Sequence, residues 1–79
     1  MEEKHVGELI RYHRKKGKLT QKELGLLSGV GKTAVFDIEN GKLSVRFDTL
    51  LKLLKVLNID LEFQGPLIDE FRKFIHEKS

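Results

Sequence analysis

Apolar residues recur at helical spacing in four stretches before residue 58 and at strand spacing in one short stretch after it. Residues 5 to 16 set Val6, Leu9, Ile10 and His13 three and four apart, with Arg11, Arg14, Lys15 and Lys16 crowding the end where cations suit the helix dipole. A first helix is predicted there, stopped at Gly17. Thr20 with Glu23 three residues later is a capping box, in which the hydroxyl serves the exposed amides and the carboxylate reaches back. It opens a short second helix from Gln21 to Ser28. Gly29 takes the left-handed conformation cheaply and turns the chain at once. Val30 resumes the apolar series, and Ala34, Val35 and Ile38 mark a third helix from Gly31 to Asn40, closed by Asn40 and Gly41. Beyond a loop ending at Arg46, Phe47, Leu50, Leu51, Leu54 and Leu57 give a helix with a wide apolar stripe and Asp48 in its first turn.

The period then changes. In NIDLEFQ, residues 58 to 64, Ile59, Leu61 and Phe63 alternate with Asp60, Glu62 and Gln64, the pattern of a strand with one buried face. Pro66 suits the first position of a last helix, whose Leu67, Ile68, Phe71, Phe74 and Ile75 share one side. The sequence offers this strand no second strand to pair with. The most economical mate is the same segment of another copy, an antiparallel pair about a two-fold axis that lays Ile59, Leu61 and Phe63 over the helical core.

At 79 residues the chain supports one small core, a size at which association is a common remedy. It has no cysteine, which removes disulfides and thiolate metal sites together. His5, His13 and His76 are far apart and none sits in a ligand spacing, so no metal and no cofactor is expected. Residues 1 to 18 are charged throughout and no apolar run reaches the roughly 18 residues of a membrane span. A soluble, cytoplasmic protein is expected. The charge is uneven: residues 1 to 59 carry twelve Lys or Arg against seven Asp or Glu, and residues 60 to 79 carry three against five. A basic body with an acidic tail points to a polyanionic partner for the body alone, or to solvated helix faces.

The informative segment is QKELGLLSGVGKTAVFDIEN, residues 21 to 40. Leu24, Val30, Val35 and Ile38 lock two helices at their crossing, Gly25 lets them approach, and Gly29 makes the tight turn between them. GLLSGVGKT ends like a phosphate-binding loop, but Gly25 and Gly31 are separated by five residues where that motif needs four, and no strand precedes it. Nothing pairs a nucleophile with a base or sets two carboxylates in a cleft, so no catalysis is expected.

With TQKEL before it and ENGK after it, the segment resembles the Cro and phage-repressor (Xre) family of helix-turn-helix DNA-binding domains, over about residues 6 to 58. Gly25 stands where that family usually has alanine, at a cost of about 1 kcal/mol in helix propensity, and Ser28 where an apolar residue is more usual. The resemblance implies an all-α, five-helix, lambda-repressor-like domain without enzymatic activity, here with one short C-terminal strand pairing across a dimer. It divides the chain into a DNA-binding domain over 1–58 and a dimerisation strand with its following helix over 59–79.

It also implies which residues meet double-stranded DNA. The third helix enters the major groove, so Gly31, Lys32, Thr33, Phe36, Asp37 and Asn40 face outward. Lys32 would donate to guanine, and Thr33 or the Phe36 ring would pack on a thymine methyl. Phe36 reads equally as part of a packing surface, and Asp37 either accepts from cytosine or is a plain exposed charge. Thr20, Gln21, Asn40 and Lys42 sit where family members grip phosphates, with Arg46, Arg11 and Lys18 as additions. Arg14 and Glu39 match an ion pair that ties the first helix to the third. A homodimer would present two such helices to a palindromic operator as a repressor. The terminal strand further resembles the HipB-like antitoxins, small repressors that hold a partner toxin and repress their own operon.

Overall fold

The computed structural model describes residues 3–42 and 44–78, and among them the chain forms five helices and no strand. They are α1 (Glu3–Lys16), α2 (Gln21–Ser28), α3 (Lys32–Glu39), α4 (Phe47–Val56) and α5 (Ile68–Lys78). The expected helices are all present, α2 at its expected bounds and the others with ends moved by up to three residues. Ile10, Leu24, Val35, Ile38, Leu53 and Leu54 form one buried cluster drawn from α1 to α4. α2 packs against α3 and α4, and α1 against α3. All but Leu53 are residues whose helical spacing singled them out; Leu53 is fully buried, while Phe47 and Leu51 of the expected α4 stripe are 57% and 40% exposed.

One device closes each of the first four helices. Leu19 N–H donates to Arg14 O at 3.1 Å, Val30 to Gly25 O at 2.9 Å, Lys42 to Asp37 O at 3.0 Å and Ile59 to Leu54 O at 2.9 Å. In every case the preceding residue (Lys18, Gly29, Gly41, Asn58) has φ between 58° and 84° and donates to a carbonyl three back. This is the Schellman closure, which satisfies carbonyls the helix leaves over and usually folds an apolar side chain under the last turn. Leu19, Val30 and Ile59 do so, each packed on the core. Only α3 has a charged residue, Lys42, at that position. α1 therefore stops with Lys18, not Gly17, in the left-handed conformation.

Two glycines sit where backbones nearly touch. A Cβ on Gly7 would lie 2.2 Å from Ile38 O and 3.0 Å from Glu39 O, so α1 rests directly on the carboxyl end of α3. A Cβ on Gly25 would meet Val30 O at 2.9 Å and the backbone of residues 31 and 32 at 3.3 Å. The close approach assigned to Gly25 is thus made to the turn itself, and the alanine usual in the family would require that turn to shift.

The strand expected at residues 59 to 64 does not form. The segment runs without regular structure to Gly65, because alternation fixes which side chains share a face but a strand also needs a backbone partner, and the described chain has none there. Ile59 packs on the core, Leu61 is 44% exposed and Phe63 63%. Pro66 and Leu67 form a turn ahead of α5 instead of its first residues. α5 shares no extensive interface with α1 to α4. The radius of gyration, 14.8 Å, exceeds the roughly 11.5 Å of a compact chain this long, and the molecule measures 43 × 25 × 23 Å.

Candidate nucleic-acid interface

α3 is the centre of the site. Its buried residues are Val35, Ile38 and Glu39, and with those turned inward Lys32, Thr33, Phe36 and Asn40 stand exposed. Phe36 is 52% exposed, large for an aromatic ring in a small domain. Gly31 is the N-cap and supplies no side-chain bond, so the first turn of α3 is capped by backbone alone. At the other end Asn40 Nδ2 donates to Phe36 O at 2.8 Å, which gives this side chain a part in finishing its own helix.

The Schellman closure brings the ends of α3 together in a second way. Lys42, whose backbone bonds to Asp37 O, also places its ammonium 3.5 Å from the Asp37 carboxylate. Asp37 is only half-exposed, and the two residues expected to face DNA singly are paired in the unbound protein. Arg46 is likewise bonded to Asp48, at 3.1 and 3.4 Å. Burial pushes the Asp48 carboxyl up, but Arg46 and the Thr49 amide hold it lowered on balance. Pairs this exposed contribute at most about 1 kcal/mol and open readily when another anion approaches.

Thr20 caps α2 with the complete box: its Oγ1 accepts from Glu23 N–H at 3.0 Å, and Glu23 Oε1 accepts from Thr20 N–H at 2.8 Å. That backbone bond, with the Thr20 hydroxyl, lowers the Glu23 carboxyl from its ordinary range.

Behind these exposed residues lies a buried ionic network. Arg14 Nε and Nη2 donate to the two oxygens of Glu39 at 2.6 and 2.9 Å, and Arg14 Nη1 to Leu19 O at 2.8 Å. Gln21 Nε2 adds a bond to Glu39 Oε1 at 3.2 Å. The side chains of Arg14 and Glu39 are 10% and 1% exposed. Burial alone would raise the Glu39 carboxyl, but the Arg14 guanidinium, the Gln21 amide and Arg11 together hold it lowered. The same bond to Glu39 raises Arg14 against the opposing effect of burial. The expected pair is present, and it joins three helices where two were anticipated. Gln21, expected on a phosphate, spends one N–H inside this network.

The structure therefore gathers Gly31, Lys32, Thr33, Phe36 and Asn40 on one helix, with Lys42 just beyond its end. Thr20 and Gln21 open α2, and Arg14 and Glu39 lie beneath. Gly7 and Lys22 were missed. Gly7 had a signal, since glycine inside a helix is unfavourable without a close contact to justify it. Lys22 stands exposed in the first turn of α2 beside Gln21, and nothing in its sequence position separates it from an ordinary surface lysine. Ser28, odd for the motif, donates from Oγ to Leu24 O at 2.6 Å. Among the described residues no cluster of His, Asp or Glu could hold a metal ion, and no helix is long and apolar enough to cross a membrane.

Comparison with known proteins agrees with this geometry. The family model described as Helix-turn-helix matches residues 10–64. An uncharacterized HTH-type transcriptional regulator, y4mF, of Sinorhizobium fredii is 33% identical over 61 residues, which cover 77% of this chain and 80% of that protein.

Proposed function

The chain belongs to the Cro and phage-repressor (Xre) type of helix-turn-helix family, and from that membership we propose that it is a repressor acting as a homodimer on a palindromic operator. The family regulates transcription by binding DNA and is not enzymatic. The observation that carries the reading for this chain is α3: Val35 and Ile38 lock it to the body while Lys32, Thr33 and Phe36 stand outward and a lysine occupies the closure residue that is apolar in the other three helices. A fold that wanted only packing would place an apolar side chain at position 42.

In this reading Lys32 and Thr33 meet base edges in the major groove, with Phe36 against a thymine methyl and Gly31 letting the helix start approach closely. Thr20, Gln21, Asn40 and Lys42 hold phosphates. Lys42 exchanges Asp37 for a phosphate oxygen on binding, and Asp37 then either accepts from cytosine or repels the backbone, which penalises wrong sequences. Ile59, Leu61 and Phe63 lie between two copies as an antiparallel pair, which spaces the two α3 helices by about one turn of DNA, roughly 34 Å.

The test is fluorescence anisotropy on an operator selected in vitro and on a random duplex. Affinity should fall steeply with salt, as phosphate contacts require. Lys32→Ala should reduce the preference for the operator, while Lys42→Ala should weaken both duplexes alike and lower the salt slope by about 1. Equal affinity for all duplexes, or none, rejects the reading. A second reading, in which the protein is an antitoxin that holds a partner toxin and represses its own operon, is favoured by the exposed apolar side of α5. Its mark is a stable complex with the product of an adjoining gene.

A further inference from the structure

A groove of about 230 Å³ opens where the chain leaves α4. Val6 and Leu9 of α1, Leu50 and Leu54 of α4, and Ile59, Asp60, Leu61 and Glu62 of the segment that follows line it. An apolar cavity of about 150 Å³ accepts benzene, so this one takes a phenylalanine ring with room to spare. α5 shows the complementary shape. It is 11 residues long, below the roughly 12 to 15 at which an isolated helix is even marginal in water. It exposes Phe71 at 55%, and Leu67 in the turn ahead of it is 67% exposed.

We propose that α5 of each chain seats in this groove on a second copy, with Phe71 as its anchor, so that the dimer is closed by exchanged C-terminal arms. The inference rests on the homodimer reading above and assigns α5 its place in it.

Charge can be met on one side of the anchor: the groove carries Asp60 and Glu62, and Phe71 stands between Asp69–Glu70 and Arg72–Lys73, so the arm seats with its basic flank toward those carboxylates. The area suffices too. At roughly 200 Å² for a large side chain, the exposed parts of Leu61, Phe63, Leu67, Phe71, Phe74 and Ile75 come to about 600 Å² per chain, near the 800 Å² or so that each partner contributes to a standard interface.

Arg72 donates to Phe63 O at 3.2 Å and to Asp69 at 3.5 Å, bracing the incoming segment against α5 so that the arm extends from the body. Exchange of identical elements is a low-cost route to a dimer.

The chain has no cysteine, which makes the test direct. Leu9→Cys and Ile68→Cys chains, which keep the Phe71 anchor, are prepared separately, mixed, and oxidised mildly. A disulfide-linked species of twice the 9.1 kDa chain mass, formed by the mixture and by neither variant alone, is expected. Its absence, while the wild type sediments as a dimer, overturns the seat and leaves the homodimer standing. A wild type that sediments as a monomer at micromolar concentration overturns both, as does one that associates only with a foreign protein. A Leu9→Cys/Ile68→Cys double variant that closes its disulfide within one chain shows the arm folding back and also overturns the proposal. Because α5 stands off the core, Phe71→Ala should keep the circular dichroism of α1 to α4 while weakening the dimer at least about ten-fold, well within the range for a buried aromatic anchor. Unchanged association overturns the anchor.

Discussion

Removing the Glu39 carboxylate isolates the ionic network that joins α1, α2 and α3. In Glu39→Ala, Arg14 keeps only its bond to Leu19 O and remains a buried charge without a counter-ion. Breaking a buried pair from one side costs about 3–5 kcal/mol. Glu39 is the last residue of α3, where an anion opposes the helix dipole, so its loss gives back some 0.3–1 kcal/mol. The net loss is about 3 kcal/mol, a large part of the roughly 4–12 kcal/mol that holds a domain of this length. At about 4–8 °C per kcal/mol for this size, the melting midpoint should fall by roughly 12–24 °C. The chain has no tryptophan, so unfolding is followed by circular dichroism at 222 nm. The double variant Arg14→Met/Glu39→Leu leaves no stranded charge and should recover much of the loss, since apolar replacement of a buried pair is often neutral. Below the midpoint, Glu39→Ala should keep its ratio of operator to random-duplex affinity. A midpoint within about 2 °C of wild type, or a double variant no better than the single one, would show that the network does not hold the helices together.

Acid should reveal the same bond. The Glu39 carboxyl is lowered in the folded protein, so its contribution is complete above the unfolded carboxylate value of about 4.3 and disappears as the pH falls through the folded value. The gap in urea midpoint between wild type and Glu39→Gln should be level from pH 7 to 5 and close below about pH 4; a gap that persists to pH 2 contradicts the assignment. Gly7→Ala puts a methyl 2.2 Å from a backbone oxygen. It should destabilise by more than about 2 kcal/mol despite the gain in helix propensity, and an unchanged or higher melting midpoint refutes the α1–α3 contact. Gly25→Ala, with its nearest approach at 2.9 Å, should be milder, within about 1 kcal/mol of wild type as the two effects offset. Because the turn ahead of α3 must move, operator affinity should fall more than stability, and an operator affinity that holds would show the turn adapting at no cost.

The helices were legible because each carried both its period and its punctuation. Thr20 with Glu23 announced the start of α2, and Gly29 and Gly41 announced the ends of α2 and α3, because those residues satisfy backbone groups within one turn. What the sequence hid was whatever depends on a distant partner. Gln21 reads as an exposed residue at a helix start, and only the folded chain brings it 3.2 Å from Glu39. Lys42 reads as a loop cation, and its ion pair with Asp37 follows from a left-handed Gly41 that folds it back. The alternation of residues 59 to 64 is real, but period 2 describes side chains, and a strand is made by backbone bonds that the described chain does not offer. The outward residues of α3 were named from resemblance, and their exposure followed once Val35 and Ile38 were buried.

The repeated closure of α1 to α4 bears on how quickly the protein assembles. Each joint is specified by bonds spanning at most five residues, so the heading of the next helix is decided before any remote contact is made. Little loop entropy is then spent bringing the core together, and chains built this way reach the native state in microseconds to milliseconds. Refolding of residues 1 to 65 should therefore be a single fast phase, independent of concentration, with any slower and concentration-dependent step belonging to the C-terminal arm.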